Sequence, residues 1–178
     1  PLVPLRNGVV FPHTEAVLTF GRSKSTAAIN AALNSNRLIC FVTQRHPKVH
    51  SPNLADIYKV GTLCTIERTL KTNGDINALV KGVARVSIKN LNTKAPFLLA
   101  TVTEIPEIEE KSDEVTALVK HLKEQLKKAV NMGKPVDFLL FMHLMSSEIT
   151  PLELVDKGVN LLDISDADKQ KLLETAEV

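Results

Sequence analysis

The sequence predicts an α+β fold in which a β-rich first part is followed by a small bundle of helices. Polar and apolar residues alternate at a period of two in several runs between residues 58 and 88, as they do in half-buried strands. From residue 115 onwards the apolar residues recur at helical spacing instead. The acidic segment 105–114 lies between the two patterns and is typical of a linker. We therefore expect two lobes, residues 1–106 and residues 107–178.

The first lobe begins with prolines at positions 1, 4 and 12 among strand-forming residues. Proline removes a backbone donor and is found on edge strands or at strand starts, so these residues predict two short edge strands broken at residues 6–8. Further strands are predicted at 16–20, 37–44, 58–70, 75–88 and 97–105.

Glycines indicate how these strands connect. Asn73-Gly74 favours a tight hairpin turn because both residues tolerate positive φ angles. Gly61 and Gly82 interrupt the paired strands, which indicates bulges or bends that curl the sheet.

One helix is predicted inside the first lobe, before the third strand. Ser23 or Ser25 is a candidate N-cap, and the Asn34-Ser35-Asn36 segment ends the helix. The proline-containing segment 46–53 has no periodicity and is predicted to be a loop.

Four helices are predicted in the second lobe. The first carries an apolar stripe from Val115 to Ala129, and the second, at 138–145, is more apolar and is expected to be more buried. Thr150-Pro151 starts the third, and a capping box at Ser165 opens the fourth. The fourth helix runs to Val178 without a Gly or Asn cap, so we expect the native chain to continue.

Composition favours a globular protein of the cell interior. The chain has 178 residues, of which 44% are hydrophobic and 24% are charged. No run approaches the roughly 20 apolar residues that span a bilayer, and no signal peptide is recognised, so no membrane partner is expected. The two cysteines, Cys40 and Cys64, lie in apolar runs and are predicted to be buried and reduced.

Charge differs between the two lobes. Residues 1–103 carry 13 Lys and Arg against 4 Asp and Glu, whereas residues 104–178 carry 9 against 16. A basic first lobe attracts nucleic acid or acidic protein segments. However, the chain has no Trp and one Tyr, so it offers few aromatic platforms for base stacking. A solvated surface with weak nucleic-acid binding is the favoured interpretation.

No catalytic or metal-binding motif is complete. Ser23 follows a strand as in a nucleophile elbow, but Ser25 occupies the position of the second glycine, so a helix cap is favoured over a hydrolase site. His46 and His50 have the spacing of half a zinc site, and a second pair of ligands is missing. Pro135 follows Gly133-Lys134 where a phosphate loop requires Ser or Thr. Neither a metal ion nor a bound nucleotide is expected in this chain.

Several segments together resemble the N-terminal domain of the Lon family of ATP-dependent proteases. In chain order they are PLVPLRNGVVFP (1–12), GRSKS (21–25), KVGTLCTI (59–66), LVKGVARVSI (79–88) after an NGD hairpin, and ADKQKLLETAEV (167–178). The segment KGVNLLDIS (157–165) departs from the family pattern, which leaves the second lobe's surface undefined.

The resemblance implies a PUA-like pseudo-barrel followed by a helical bundle, and a non-catalytic role in capturing unfolded or tagged protein substrates. It also implies that ATP, magnesium and a Ser-Lys protease dyad belong to other parts of a hexameric parent. The expected location is the bacterial cytoplasm, with the mitochondrial matrix as the alternative. A stand-alone domain of the same fold that binds protein or RNA is the rival interpretation.

Substrate contacts are expected in exposed loops of the first lobe and at the start of its helix. The candidate residues are Phe11, Pro12, His13, Arg22, Lys24, Val49 and Leu54.

Overall fold

A computed structural model describes residues 1–108 and 111–175, and within them it contains a six-stranded mixed sheet and five α-helices. The strands are β1 (Leu2–Leu5), β2 (Glu15–Phe20), β3 (Leu38–Thr43), β4 (Val60–Thr72), β5 (Asp75–Asn92) and β6 (Leu99–Glu104). The helices are α1 (Ser23–Leu33), α2 (Asp113–Asn131), α3 (Phe138–Met145), α4 (Pro151–Gly158) and α5 (Asp166–Glu174). Residues 109–110 of the predicted linker and residues 176–178 of the predicted last helix lie outside the described residues.

The sheet has the strand order β1-β3-β4-β5, with β1 parallel to β3 and the other pairs antiparallel. The long strand β5 pairs with β2 through its first half and with β6 through its second half. The Leu2 amide donates to the Leu98 carbonyl at 2.9 Å, beside the start of β6. A hydrogen bond therefore joins the start of β1 to the residue just before β6.

The hairpin and the bulge at Gly82 form as the sequence predicts, whereas Gly61 pairs in register with Val86 and shows no bulge. Asn73 and Gly74 have φ angles of 52° and 90° in the turn between β4 and β5. A register shift leaves Val83 without a partner in β4, next to Gly82. A Cβ atom on Gly82 would lie 2.0 Å from the Phe11 carbonyl oxygen, so only glycine allows this backbone approach.

Only the first of the two predicted edge strands exists. The amide of Leu2 points away from β3, and Pro4, two residues later, has the same orientation. The N–H that proline lacks would therefore face away from β3, so no hydrogen bond between β1 and β3 is lost. The prediction of a second strand before Pro12 is wrong.

Side chains replace the missing strand pairing in this segment. The hydroxyl of Thr43 donates to the Gly8 carbonyl at 2.8 Å, and that of Thr62 donates to the Val10 carbonyl at 2.6 Å. These hydroxyls satisfy backbone acceptors without a ladder, so the segment crosses the sheet as an irregular chain.

Helix α1 lacks the cap that the sequence predicts. Arg22 is the N-cap residue and makes no side-chain capping bond, while Ser23 and Ser25 lie inside the first turn. The helix ends at Leu33 with Asn34 as its C-cap, as expected.

The later helices are capped by side chains. Ser112, Asp137, Thr150 and Ser165 each accept a hydrogen bond from a backbone amide in the first turn of α2, α3, α4 and α5. Pro151 begins α4, as predicted. Within the described residues, no helix is long and apolar enough to cross a membrane.

Two clusters hold these helices in place. One lies among α2, α3 and α4 and includes Leu126, Leu144 and Leu154. The other joins the helices to the sheet, where Phe11 packs in a buried cluster with Leu173 of α5. The expectation of a mixed α and β fold is confirmed.

Candidate functional site

A basic cleft lies where β1, the start of α1 and the loop 46–53 meet. Its volume is about 300 Å³. Its lining contains four apolar side chains and four basic ones, namely Leu2, Pro4, Pro52, Leu98, Arg6, Arg22, Lys24 and His50. No Asp or Glu lines it among the described residues. Three of the 13 Lys and Arg residues of the first lobe therefore face this cleft without an acidic neighbour in its lining.

Arg22 ties the start of α1 to both other walls of the cleft. Its guanidinium donates to the Pro4 carbonyl and, at 3.1 Å, to Oε1 of buried Gln44. Gln44 in turn donates through Nε2 to the carbonyls of His46 and Val49 at 3.2 and 2.9 Å. Burial lowers the pKa of Arg22, and the positive charge of Arg6 adds to that shift. No carboxylate pairs with Arg22 in the described part of the chain.

A second polar group is enclosed between the sheet and the helices. Arg85 of β5 is 1% exposed, and its guanidinium forms an ion pair with Asp156 of α4, which is 0% exposed. It also donates to Glu107 at 2.7 Å and to the Leu173 carbonyl at 3.2 Å. Burial raises the pKa of Asp156 to about 6, although Arg85 acts in the opposite direction.

The same group contains three ligand atoms that lie close enough to hold a metal ion, those of His13, Glu107 and Asp156 within 4.8 Å of one another. However, Arg85 contacts both carboxylates, and its guanidinium already occupies them and offsets part of their negative charge. His13 also contacts Glu107 directly, at 3.1 Å. The arrangement is therefore explained as a structural ion-pair network that fastens the helices to the sheet.

An apolar surface is formed by α3. Phe138, Leu139 and Met142 are 71%, 76% and 54% exposed, and Leu144 is the buried residue of this helix. Four of the eight residues of α3 are buried or partly buried, against 7 of the 19 in α2, so α3 is the more buried of the two, as predicted, although it exposes an apolar face. The helix has apolar residues on all sides, but it packs against α4 through one side only.

Comparison with known proteins identifies the family. A family model described as the ATP-dependent protease La (LON) substrate-binding domain matches residues 1–178. The chain belongs to this Lon family. The resemblance drawn from the sequence, and the assignment to the non-catalytic substrate-binding part of Lon, are confirmed by this match.

Curated Lon proteases of bacteria match the whole chain. The Lon protease of Desulforamulus reducens is 34% identical over 179 residues, covering 100% of this chain and 22% of the relative. That of Aquifex aeolicus is 36% identical over 180 residues, covering 98% of this chain and 22% of the relative. The chain thus spans about a fifth of the length of the Lon proteases it matches.

Solved structures show the same fold. The N-terminal domain of the Mycobacterium avium complex Lon protease superposes with a TM-score of 0.78 at 22% identity, covering 98% of this chain and 89% of that one. A Lon N-terminal domain protein from Xanthomonas campestris gives a TM-score of 0.68 at 15% identity, covering 99% and 90%. The mixed architecture is therefore that of Lon N-terminal domains.

The predicted contact residues of this Lon domain fall in two separate places. Arg22 and Lys24 line the basic cleft, and Val49 and the 44% exposed Leu54 lie in or beside the loop that forms one wall. Phe11, by contrast, is 0% exposed.

The two residues after Phe11 are also largely covered. Pro12 is buried and His13 is half-buried against Glu107. Their role in substrate contact stays a prediction, and the burial of Phe11 and Pro12 does not favour it.

The structure also shows the surroundings of Ser23, the candidate nucleophile. Ser23 lies at the exposed start of α1, and no hydrogen bond joins its hydroxyl to a histidine in residues 1–108 and 111–175. The ring of His50, on the opposite wall of the cleft, contacts Arg6 at 3.3 Å. Cys40 and Cys64 are both free and buried, as predicted.

Sequence reasoning missed the ion pair of Arg85 and the exposed face of α3. Alternation along β5 gives Arg85 an outward position, and only the fold shows that α4 and α5 cover that face of the sheet. The segment FLLFMHLM (138–145) is apolar except for His143, and such a composition fits both a buried helix and an exposed binding surface.

Proposed function

We propose that this Lon domain binds unfolded segments of protein substrates through the exposed apolar face of α3. The observation that carries the proposal is the exposure of Phe138, Leu139 and Met142 on one short helix. Contiguous exposed apolar side chains on soluble proteins mark interaction surfaces. Methionine adapts to irregular partners, which suits a surface that must accept many sequences.

The proposed parent is a hexameric AAA+ protease in the bacterial cytoplasm that uses ATP and magnesium to degrade misfolded and short-lived regulatory proteins. Each domain would bind a substrate weakly, and neighbouring copies would raise the effective concentration of sites around it. The match to full-length Lon proteases supports this assignment. Nucleic acid is proposed to bind weakly at most, through the basic first lobe.

The proposed architecture is a PUA-like pseudo-barrel of residues 1–106 followed by a helical bundle of residues 107–178. The bond between Leu2 and Leu98 supports the pseudo-barrel, because it connects the edge strand β1 to the residue before β6, which pairs with β5. The cluster of Leu126, Leu144 and Leu154 supports the bundle.

Substitution on α3 tests the binding surface. The probe is a fluorescent, reduced and carboxymethylated protein that cannot refold, titrated with the 178-residue chain and followed by polarisation. The double variant Phe138→Ser/Leu139→Ser should weaken binding roughly tenfold, since apolar anchors dominate such contacts. Leu70→Ser is the matched control, because Leu70 is 66% exposed in β4. It should bind like the unchanged chain.

Two outcomes would contradict the proposal. Equal affinity in the α3 variant and the control would show that α3 does not hold substrate. Tight RNA binding that falls steeply with salt, with no binding of the unfolded protein, would favour the rival nucleic-acid domain.

A further inference from the structure

The cleft between β1, α1 and the loop 46–53 carries positive charge without a counter-ion. Arg6, Arg22, Lys24 and His50 line it, and none of the three permanently charged residues forms an ion pair within the described residues. Like charges in a shared cleft repel one another. An anion in the cleft would relieve that repulsion.

The start of α1 supplies hydrogen-bond donors to the same space. The helix has no side-chain cap and no acidic residue in its first turn, so the amides of Ser23, Lys24 and Ser25 lack an intrahelical acceptor. Such amides and the helix dipole favour a negatively charged oxygen.

The hydroxyl of Ser25 points independently to a ligand. Ser25 is 4% exposed, lines the cleft and makes no hydrogen bond through its side chain in the described part of the chain. Among those residues the single fully enclosed side-chain polar atom without a partner is Oε1 of Gln170. The oxygen of Ser25 is therefore not fully enclosed, and Ser25 is one of the residues that line the cleft. A buried hydroxyl without a protein partner is normally satisfied by something that enters from solvent.

One wall of the cleft is apolar, which narrows the class of ligand. Leu2, Pro4, Pro52 and Leu98 face the cationic side of the cleft. A free inorganic ion would make no favourable contact with this apolar wall. A ligand that joins an oxyanion to a small apolar group would fill both sides.

We propose that this cleft binds the C-terminal residue of a polypeptide, with the α-carboxylate at the amides of α1 and an apolar last side chain against Leu2 and Leu98. Backbone amides flanked by cations are a recurring way of capturing a terminal carboxylate. The inference rests on the proposed function, because the polypeptide whose terminal carboxylate binds here would be a substrate of this domain. The cleft and the face of α3 would contact different parts of one substrate.

Arg22 and the loop 46–53 would hold the cleft in its open shape. The link from Arg22 through Gln44 to His46 and Val49 fixes the loop relative to α1. Lys24 is exposed and makes no side-chain hydrogen bond among the described residues, and exposed Arg6 contacts only the ring of His50 there, at 3.3 Å, so both can reach a carboxylate.

Peptide pairs that differ in one terminal group test the proposal. A fluorescent ten-residue peptide that ends in leucine is prepared as the free acid and as the amide. Polarisation should show the acid binding roughly tenfold tighter than the amide to the 178-residue chain, since hydrogen bonds to a charged acceptor are the strong ones. A second acid that ends in aspartate should bind more weakly than the acid that ends in leucine.

Variants locate the site. Ser25→Ala and Lys24→Gln should each reduce the preference for the acid, while Lys48→Gln, an exposed lysine of the loop that does not line the cleft, should keep it. Circular dichroism confirms that each variant is folded.

The results separate this inference from the proposed function. Equal affinity for acid and amide would overturn the carboxylate site, and the unfolded, carboxymethylated probe would still report whether α3 binds substrate. Displacement of both peptides alike by millimolar inorganic phosphate, with no preference for the acid, would assign the cleft to a free anion and likewise overturn the proposal. A preference for the acid that survives in both Ser25→Ala and Lys24→Gln would place the carboxylate elsewhere.

Discussion

Replacing Arg85 by methionine should destabilise the fold by about 3 to 5 kcal/mol at neutral pH, the usual cost of removing one partner from a buried ion pair. The guanidinium is 1% exposed and makes hydrogen bonds to Asp156, Glu107 and the Leu173 carbonyl. Methionine keeps most of the side-chain volume but leaves the buried carboxylate of Asp156 without its counter-ion. Packing is thus largely retained, while the charge is not.

The loss should depend on pH in a defined direction. Burial already raises the pKa of Asp156 to about 6 from its usual 3.8, with Arg85 opposing the shift. A raised folded-state pKa means that the folded chain holds its proton more tightly, so the free energy of unfolding falls as pH rises through the interval between the two values. Without Arg85 the pKa rises further. The cost of the substitution should therefore be larger at pH 7.5 than at pH 5, by about 1.4 kcal/mol for each further pKa unit.

Urea unfolding followed by far-ultraviolet circular dichroism at these two pH values measures both claims. The control is the double variant Arg85→Met/Asp156→Leu, which should recover most of the lost stability because an apolar pair can replace a buried ion pair. Glu107 and His13 remain near the site in every variant and are common to the comparison. A loss below about 1 kcal/mol, or an equal loss at both pH values, would refute the assigned role of the charge.

Three further outcomes are expected. Gly82→Ala should lower the free energy of unfolding by about 2 kcal/mol, because the new Cβ would meet the Phe11 carbonyl. Gly158→Ala, whose Cβ would lie 3.8 Å from its nearest neighbour, should leave stability unchanged or raise it slightly, and thermal unfolding measures both variants. Ser112→Ala should cost about 1 kcal/mol by removing the cap of α2, and Ser23→Ala, which removes no cap, should cost less than about 0.5; equal losses would contradict the cap assignment. Both thiols should resist Ellman's reagent at pH 8 until urea unfolds the chain, because burial raises the pKa of each; immediate labelling of folded protein would disprove this.

Local patterns predicted most of the elements. The Asn73-Gly74 hairpin, the Thr150-Pro151 helix start and the cap at Ser165 are all determined by neighbouring residues, and each forms where expected. The error at residues 9–12 has a long-range cause, because the Thr62 hydroxyl that satisfies this segment lies far along the chain.

The candidate site was less accessible to sequence reasoning. Arg22 and Lys24 were identified, but the distant residues that complete the cleft, such as Leu98 and His50, are brought there only by the sheet. The exposed face of α3 could not be predicted from the sequence, because apolar composition by itself does not distinguish a core helix from a binding surface.

Arg85 can be buried only late in synthesis, because the helices that cover it follow the sheet in the chain. The sheet, up to β6, is synthesised before Asp156 and Leu173. Until then the guanidinium stays hydrated on an otherwise uncovered sheet face, where a charge discourages contact with other nascent chains. Docking of α4 and α5 then buries the guanidinium and pairs it with Asp156. We expect nascent chains that carry Arg85→Met to aggregate more during translation than after release.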